Sequence, residues 1–135
     1  DAERRLTARG EEQSRAAGQA IAALEATPTI VFASPKVRAL DTATLACEAL
    51  DVEPVVHAAV VGLDAAEALT LLEAVSDGER ILIVGHEPDF SQAVHDLTGA
   101  RIDMKKGGIA VVRMDGSRGE LAALLRPREL RAITS

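Results

Sequence analysis

Two short apolar runs constrain this chain more than any other feature. Thr29-Ile-Val-Phe-Ala33 and Arg80-Ile-Leu-Ile-Val84 are continuously hydrophobic and rich in β-branched residues. Strands of that kind are covered on both faces, as in parallel sheets flanked by helices. Each run breaks directly into helix-starting residues, Ser34-Pro35 after the first and Gly85-His86-Glu87-Pro88 after the second. Ser34 reads as an N-cap with Pro35 at the first helical position, opening a helix to about Leu50. Upstream, Thr7 to Ala26 reads as a helix capped by Thr7, with Ala17, Ile21 and Leu24 on one face and Pro28 ending it. Pro54 to Ala58 is a weaker strand. Asp64 to Val75 is a helix with Ala65, Ala68, Leu69, Leu72 and Val75 on one side, broken by Asp77-Gly78. After Pro88 another helix runs to about Leu97, closed by Gly99. Ile109 to Met114 and Leu121 to Leu125 flank a turn-rich stretch and predict a β-hairpin, with the tail after Pro127 on the surface. This alternation predicts an α/β fold with a mainly parallel sheet, Ile81 to Val84 at its centre, and the hairpin as an antiparallel edge.

Composition narrows the function. The chain has 135 residues, one domain's worth, with 47% hydrophobic and 27% charged residues. There are two Phe and no Trp or Tyr, so stacking platforms for nucleic-acid bases are lacking, and a net charge of −6 opposes binding to a phosphate backbone. Cys47 is the one cysteine, so no disulfide forms within the chain, which points to a cytoplasmic setting. No stretch approaches the ~20 apolar residues of a membrane span. Asp1-Ala-Glu-Arg-Arg5 is not a signal peptide; opening on charge without Met, the sequence reads as a piece of a longer chain.

Ligands of open α/β sheets bind beyond the carboxyl ends of the strands. Two such ends carry unusual residues. Arg38 falls in the first turn of the helix after Thr29–Ala33, where free N–H groups favour an anion and a guanidinium adds bidentate phosphate binding. The alternative for Arg38 is a solvated pair with Asp41. His86 leaves the Ile81–Val84 run at a second carboxyl end, after Gly85, which permits a sharp turn and close approach to a ligand. The alternative for His86 is a capping or core role. Both residues would converge on one anion. His57 lacks a glycine turn and reads as structural, and His95 reads as an exposed mid-helix residue. Gly107-Gly108 after Lys105-Lys106 reads as a strand-entry turn, with a phosphate-touching loop as the alternative. Cys47, His57, His86 and His95 show no metal-ligand spacing, so no metal is expected. No Walker loop, dinucleotide glycine fingerprint or nucleophile elbow is present.

Three blocks in order resemble the histidine phosphatase superfamily, which has a phosphoglycerate-mutase-like fold. Ser34-Pro-Lys-Val-Arg38-Ala-Leu-Asp-Thr42-Ala resembles its SPxxRAxxTA block, and Val84-Gly-His86-Glu-Pro88 its VGHxP block. Leu6-Thr-Ala-Arg-Gly10 with Gln13 resembles the stretch before its first long helix. The hairpin and the ending to Pro127 resemble the short SixA-like phosphohistidine phosphatase branch. The resemblance implies a single three-layer α/β/α sandwich and a hydrolase that forms a phosphohistidine intermediate, then hydrolysed by water. Its substrate would be phosphohistidine on a signalling protein, or a small phosphate ester, with no cofactor, nucleic acid or membrane partner. Arg38 and His86 would be catalytic, holding the phosphoryl oxygens, and Ser34, Gly85 and Glu87 would contact substrate. Imidazole is a good leaving group, so a dedicated acid is less needed, and none stands out; Asp64, Glu67 and Glu87 are candidates only, each read first as a solvated or capping carboxylate. The family opens with a central strand ending in Arg-His-Gly, whose histidine attacks the phosphorus. Nothing before Leu6 matches it. Either an upstream segment supplies it, the favoured expectation, or the chain is a non-catalytic phosphate- or protein-binding relative.

Overall fold

The computed structural model describes residues 4–135, so the opening Asp1-Ala-Glu3 lies outside the described residues. Helix α1 (Ala8–Ala23) starts where Thr7 Oγ1 accepts the Gly10 N–H at 3.0 Å. It ends earlier than Pro28, because Glu25 turns into the left-handed region at φ 57°. Its small face lies against helix α2 (Val37–Cys47). The approach is close at Gly18, where a Cβ would sit 2.0 Å from the Ala46 carbonyl oxygen.

Strand β1 (Ile30–Ala33) pairs in parallel with β2 (Pro54–Val56) on one side and β3 (Ile81–Val84) on the other. Side-chain alternation then divides the core. Val31, Ala33, Leu82 and Val84 face α2, around Ala43 and Cys47. Ile30, Phe32, Ile81 and Ile83 face the opposite layer, formed by helix α3 (Ala65–Leu72) and Phe90 of helix α4 (Asp89–Thr98). Asp64 caps α3 by accepting the Glu67 N–H at 2.8 Å, and Gly99 closes α4 at φ 80°. A third cluster joins Ala17 and Ala20 of α1 to Ile109 and Leu125 of the hairpin, strands β4 (Ile109–Asp115) and β5 (Arg118–Leu125). The layers and the parallel sheet follow the expected α/β sandwich.

Three expectations need correction. First, β1 is the central strand, not β3; among the described residues the outer edge of β3 has no strand partner. Second, the antiparallel hairpin forms its own two-stranded sheet and does not extend the parallel one. Helices α1 and α4 contact elements on both sides of that break, α2 and residues 127–134 for α1, α3 and β5 for α4. A doubly covered apolar strand reports helices above and below it, and carries no information on its strand neighbours. Third, the tail after Pro127 is a helix, α5 (Pro127–Thr134), with Leu130 buried among Ala17 and Ala20. Its start is fixed by Glu129 Oε1, which accepts the Arg126 N–H at 2.9 Å, with Pro127 at the first helical position.

Candidate active site

The parallel ladder continues one residue beyond the strands. Ser34 N–H donates to the Val84 carbonyl at 3.0 Å, and His57 N–H donates to the Ala33 carbonyl at 2.9 Å. The carboxyl ends of β1, β2 and β3 are thereby held side by side, which brings Ser34 and His86 together. Ser34 Oγ lies 2.8 Å from His86 Nε2 and accepts the Lys36 N–H at 3.2 Å. Ser34 is 0% exposed, whereas His86 is half-buried.

The expected N-cap at Ser34 is displaced to Lys36, whose side chain makes no capping bond, and the helix starts at Val37. Arg38 is therefore in the first turn, half-buried, with no acidic residue in that turn. The pairing of Arg38 with Asp41 does not occur: Asp41 lies 3.7 Å from Arg5, and among the described residues Arg38 makes no ion pair. A cation at a positive helix end with no internal counter-charge is set to receive an external anion.

His86 is held below the ordinary histidine value, first by burial and then by the Lys36 charge, with Asp89 acting in opposition. Its ring is therefore biased to the neutral form. Lys36 had drawn no role from the sequence. Its place between Ser34 and Arg38 was the only signal, and its proximity to His86 depends on a contact across the sheet.

The other expected substrate contacts are occupied within the protein. Gly85 has no left-handed backbone; a Cβ there would lie 2.7 Å from Phe90 Cζ and 2.8 Å from Val60 Cγ1, so close packing requires the glycine. Glu87 accepts the Ser91 N–H at 2.8 Å and also bonds the Ser91 hydroxyl, while Ser91 Oγ accepts the Met104 N–H at 3.2 Å. Glu87 thus ties the start of α4 to the segment before the hairpin. Among the other carboxylates, Asp64 is the α3 cap and Glu67 is exposed.

His57 is exposed, with Nδ1 accepting the Ala59 N–H at 3.1 Å and its ring edge-on to Phe32 at 5.5 Å. His95 is exposed, with Nδ1 3.1 Å from the Ala100 carbonyl. Gly108 N–H closes a turn onto the Lys105 carbonyl at 2.8 Å. Burial pushes the Cys47 thiol up, with Glu53 adding to it, so the thiolate is disfavoured. Among the described residues no three His, Cys, Asp or Glu side chains cluster to hold a metal, and no helix is long and apolar enough to cross a membrane. An open groove of about 670 Å³ lies along α4, lined by Pro88, Asp89, Gln92, His95 and Arg101 among others; Ser34, Arg38 and His86 do not line it.

Comparison with known proteins bears on this geometry. Residues 1–65, which contain Ser34 and Arg38, match the histidine phosphatase superfamily (branch 1). Over that stretch the sequence is similar to the superfamily. The structure is similar across 96% of the chain to the protein histidine phosphatase SixA complexed with tungstate, at 24% identity, TM-score 0.80 and 88% coverage of that chain. It is also similar to a protein assigned as phosphohistidine phosphatase SixA from Agrobacterium tumefaciens, at 19% identity and TM-score 0.77, covering 94% of this chain and 86% of that one. A phosphoserine phosphatase from Entamoeba histolytica in complex with 3-phosphoglyceric acid gives 16% identity and TM-score 0.72, with 93% and 86% covered. At these identities the likenesses establish the histidine phosphatase fold. Among curated proteins no sequence match was found.

Proposed function

We propose that this chain forms the phosphate-holding part of a phosphatase acting on phosphohistidine in a protein, or on a small phosphate ester, through a phosphohistidine intermediate. The observation that carries the reading is the meeting of two strand ends. Arg38 opens α2 after β1 with no ion-pair partner among the described residues, and His86 follows β3 against Ser34. In the proposed reaction an imidazole nitrogen attacks phosphorus as the bond to the leaving group breaks. Water then cleaves the new P–N bond and releases phosphate. Arg38 would bind two phosphoryl oxygens, and His86 would donate one N–H. Neither group needs a metal or an organic cofactor to act.

The attacking histidine is proposed to lie outside residues 1–135, on a strand that would enter between β3 and the hairpin, making residues 1–135 an N-terminally incomplete single domain. The unpaired edge of β3 and the separate hairpin sheet support this. The open groove along α4 favours a phosphate presented on a protein surface over an enclosed metabolite. A cytoplasmic setting belongs to the same proposal, supported by the lone Cys47.

The test is phosphoenzyme trapping in the full-length protein with a phosphohistidine peptide, read by intact mass. A labile phosphohistidine and release of phosphate are expected. In that protein His86→Ala should lower turnover by about 10²–10³-fold, as loss of one preorganised donor does. Tight phosphate binding with no phosphoenzyme and no turnover would favour a phosphate-binding relative instead.

A further inference from the structure

Ser34 was expected to touch substrate, yet it is wholly buried behind His86. A buried hydroxyl has one proton to donate, and leaving it unpaired costs about 1–3 kcal/mol. Among the described residues Ser34 Oγ has two partners, the Lys36 N–H and His86 Nε2. The Lys36 amide can only donate. The serine proton is therefore left with His86 Nε2 as its acceptor, and Nε2 must carry no hydrogen of its own. From this we infer that Ser34 is a positioning residue that fixes His86 as the Nδ1–H tautomer.

The consequence is directional. With Nε2 occupied, Nδ1–H is the ring's remaining donor, and only that atom is available to a phosphoryl oxygen. A doubly protonated ring would place two hydrogens between Nε2 and Oγ and orphan one of them. Ser34 thus opposes the imidazolium, in the same sense as burial and the Lys36 charge, while Asp89 of α4 is the one acid that acts the other way. The tautomer follows from the hydrogen-bond accounting alone. Its use in binding phosphate rests on the function proposed above.

The other two histidines supply internal references. His57 Nδ1 accepts the Ala59 N–H, so His57 is the Nε2–H form. His95 Nδ1 faces the Ala100 carbonyl, so His95 is the Nδ1–H form. Ring ¹⁵N spectra of the unmodified protein well above pH 6.5, the ordinary histidine value, are expected to give His86 the pattern of His95 and the opposite of His57. An Nε2–H pattern for His86 would overturn the inference without any variant being made. In Ser34→Ala the His86 tautomer should relax towards a mixture and its titration midpoint should rise. Ser34→Thr, which keeps the hydroxyl, should restore both if it is accommodated. An unchanged tautomer and midpoint in folded Ser34→Ala would also overturn it. Inorganic phosphate is the final probe: Ser34→Ala should weaken its binding about tenfold, the equivalent of one lost hydrogen bond. Should His86 be Nδ1–H in the native protein yet remain unmoved by phosphate, the positioning role stands and the phosphate-site reading fails.

Discussion

Strands β1 and β3 are near-equivalent in sequence and unequal in the molecule. Both are four-residue apolar strands, both lie between the same two helical layers, and they pair with each other over their full length. Yet in β1 Val31 and Ala33 are 0% exposed and Phe32 is 6%, while every residue of β3 is only half-buried. The difference is in the edges. Among the described residues β1 has a strand on each side, and β3 has one only. Burial in a sheet comes from neighbours in the plane as well as from layers above and below. A strand as apolar as β3 that ends a sheet presents unpaired N–H and C=O groups, which act as a template for another strand. The candidate site residues divide along the same line: Ser34 and Arg38 follow β1, and His86 follows β3.

Truncation should separate the two strands most clearly. Phe32→Ala is expected to destabilise by about 3–5 kcal/mol, and Ile83→Ala by about 2 kcal/mol, the low end for such a change, because β3 has less to lose. Urea unfolding of both variants measures the gap, and equal losses would mean that β3 is as enclosed as β1. Next in size is the anion site. Removing Arg38 deletes charged hydrogen bonds worth about 1.5–3 kcal/mol, so Arg38→Ala should weaken inorganic phosphate or vanadate binding by about 10- to 150-fold. Calorimetric titration reads this, and unchanged affinity would place the anion elsewhere.

The smallest effect is on pH. The folded value of His86 is depressed, so the folded state binds fewer protons than the unfolded one at mildly acid pH. The stability from keeping this ring neutral is present above the unfolded value of 6.5 and is lost as pH falls through the folded value. Thermal unfolding of the native protein against His86→Gln should show the native curve falling more steeply below that pH. Parallel curves would mean that the ring is not held neutral.

How far the sequence carried can be seen at particular residues. Continuous apolarity marked β1 and β3, and local punctuation marked the Thr7, Asp64 and Gly99 caps, because each depends on residues within one turn. Ser34 misled for the opposite reason. Its hydroxyl meets His86, 52 positions away, as well as the Lys36 N–H, and the helix starts only at Val37. Glu87 and Gly85 flank His86 in the sequence; their partners within the fold, Ser91 for Glu87 and Phe90 and Val60 for Gly85, become apparent only once α4 and the Ala58–Val60 turn pack against the sheet. The α5 helix was missed because its apolar content is slight, although Pro127 and Glu129 were a readable start signal. The order of strands was not legible at all, since it depends on edges that hydrophobicity does not encode.

The central claim is that the ends of β1 and β3 form one phosphate site. The most direct measurement follows the His86 ring signals while inorganic phosphate is titrated into the protein and into Arg38→Ala. Saturable movement of His86 that disappears in Arg38→Ala is the predicted result. No movement of His86, or the same movement and affinity in both proteins, would contradict the account.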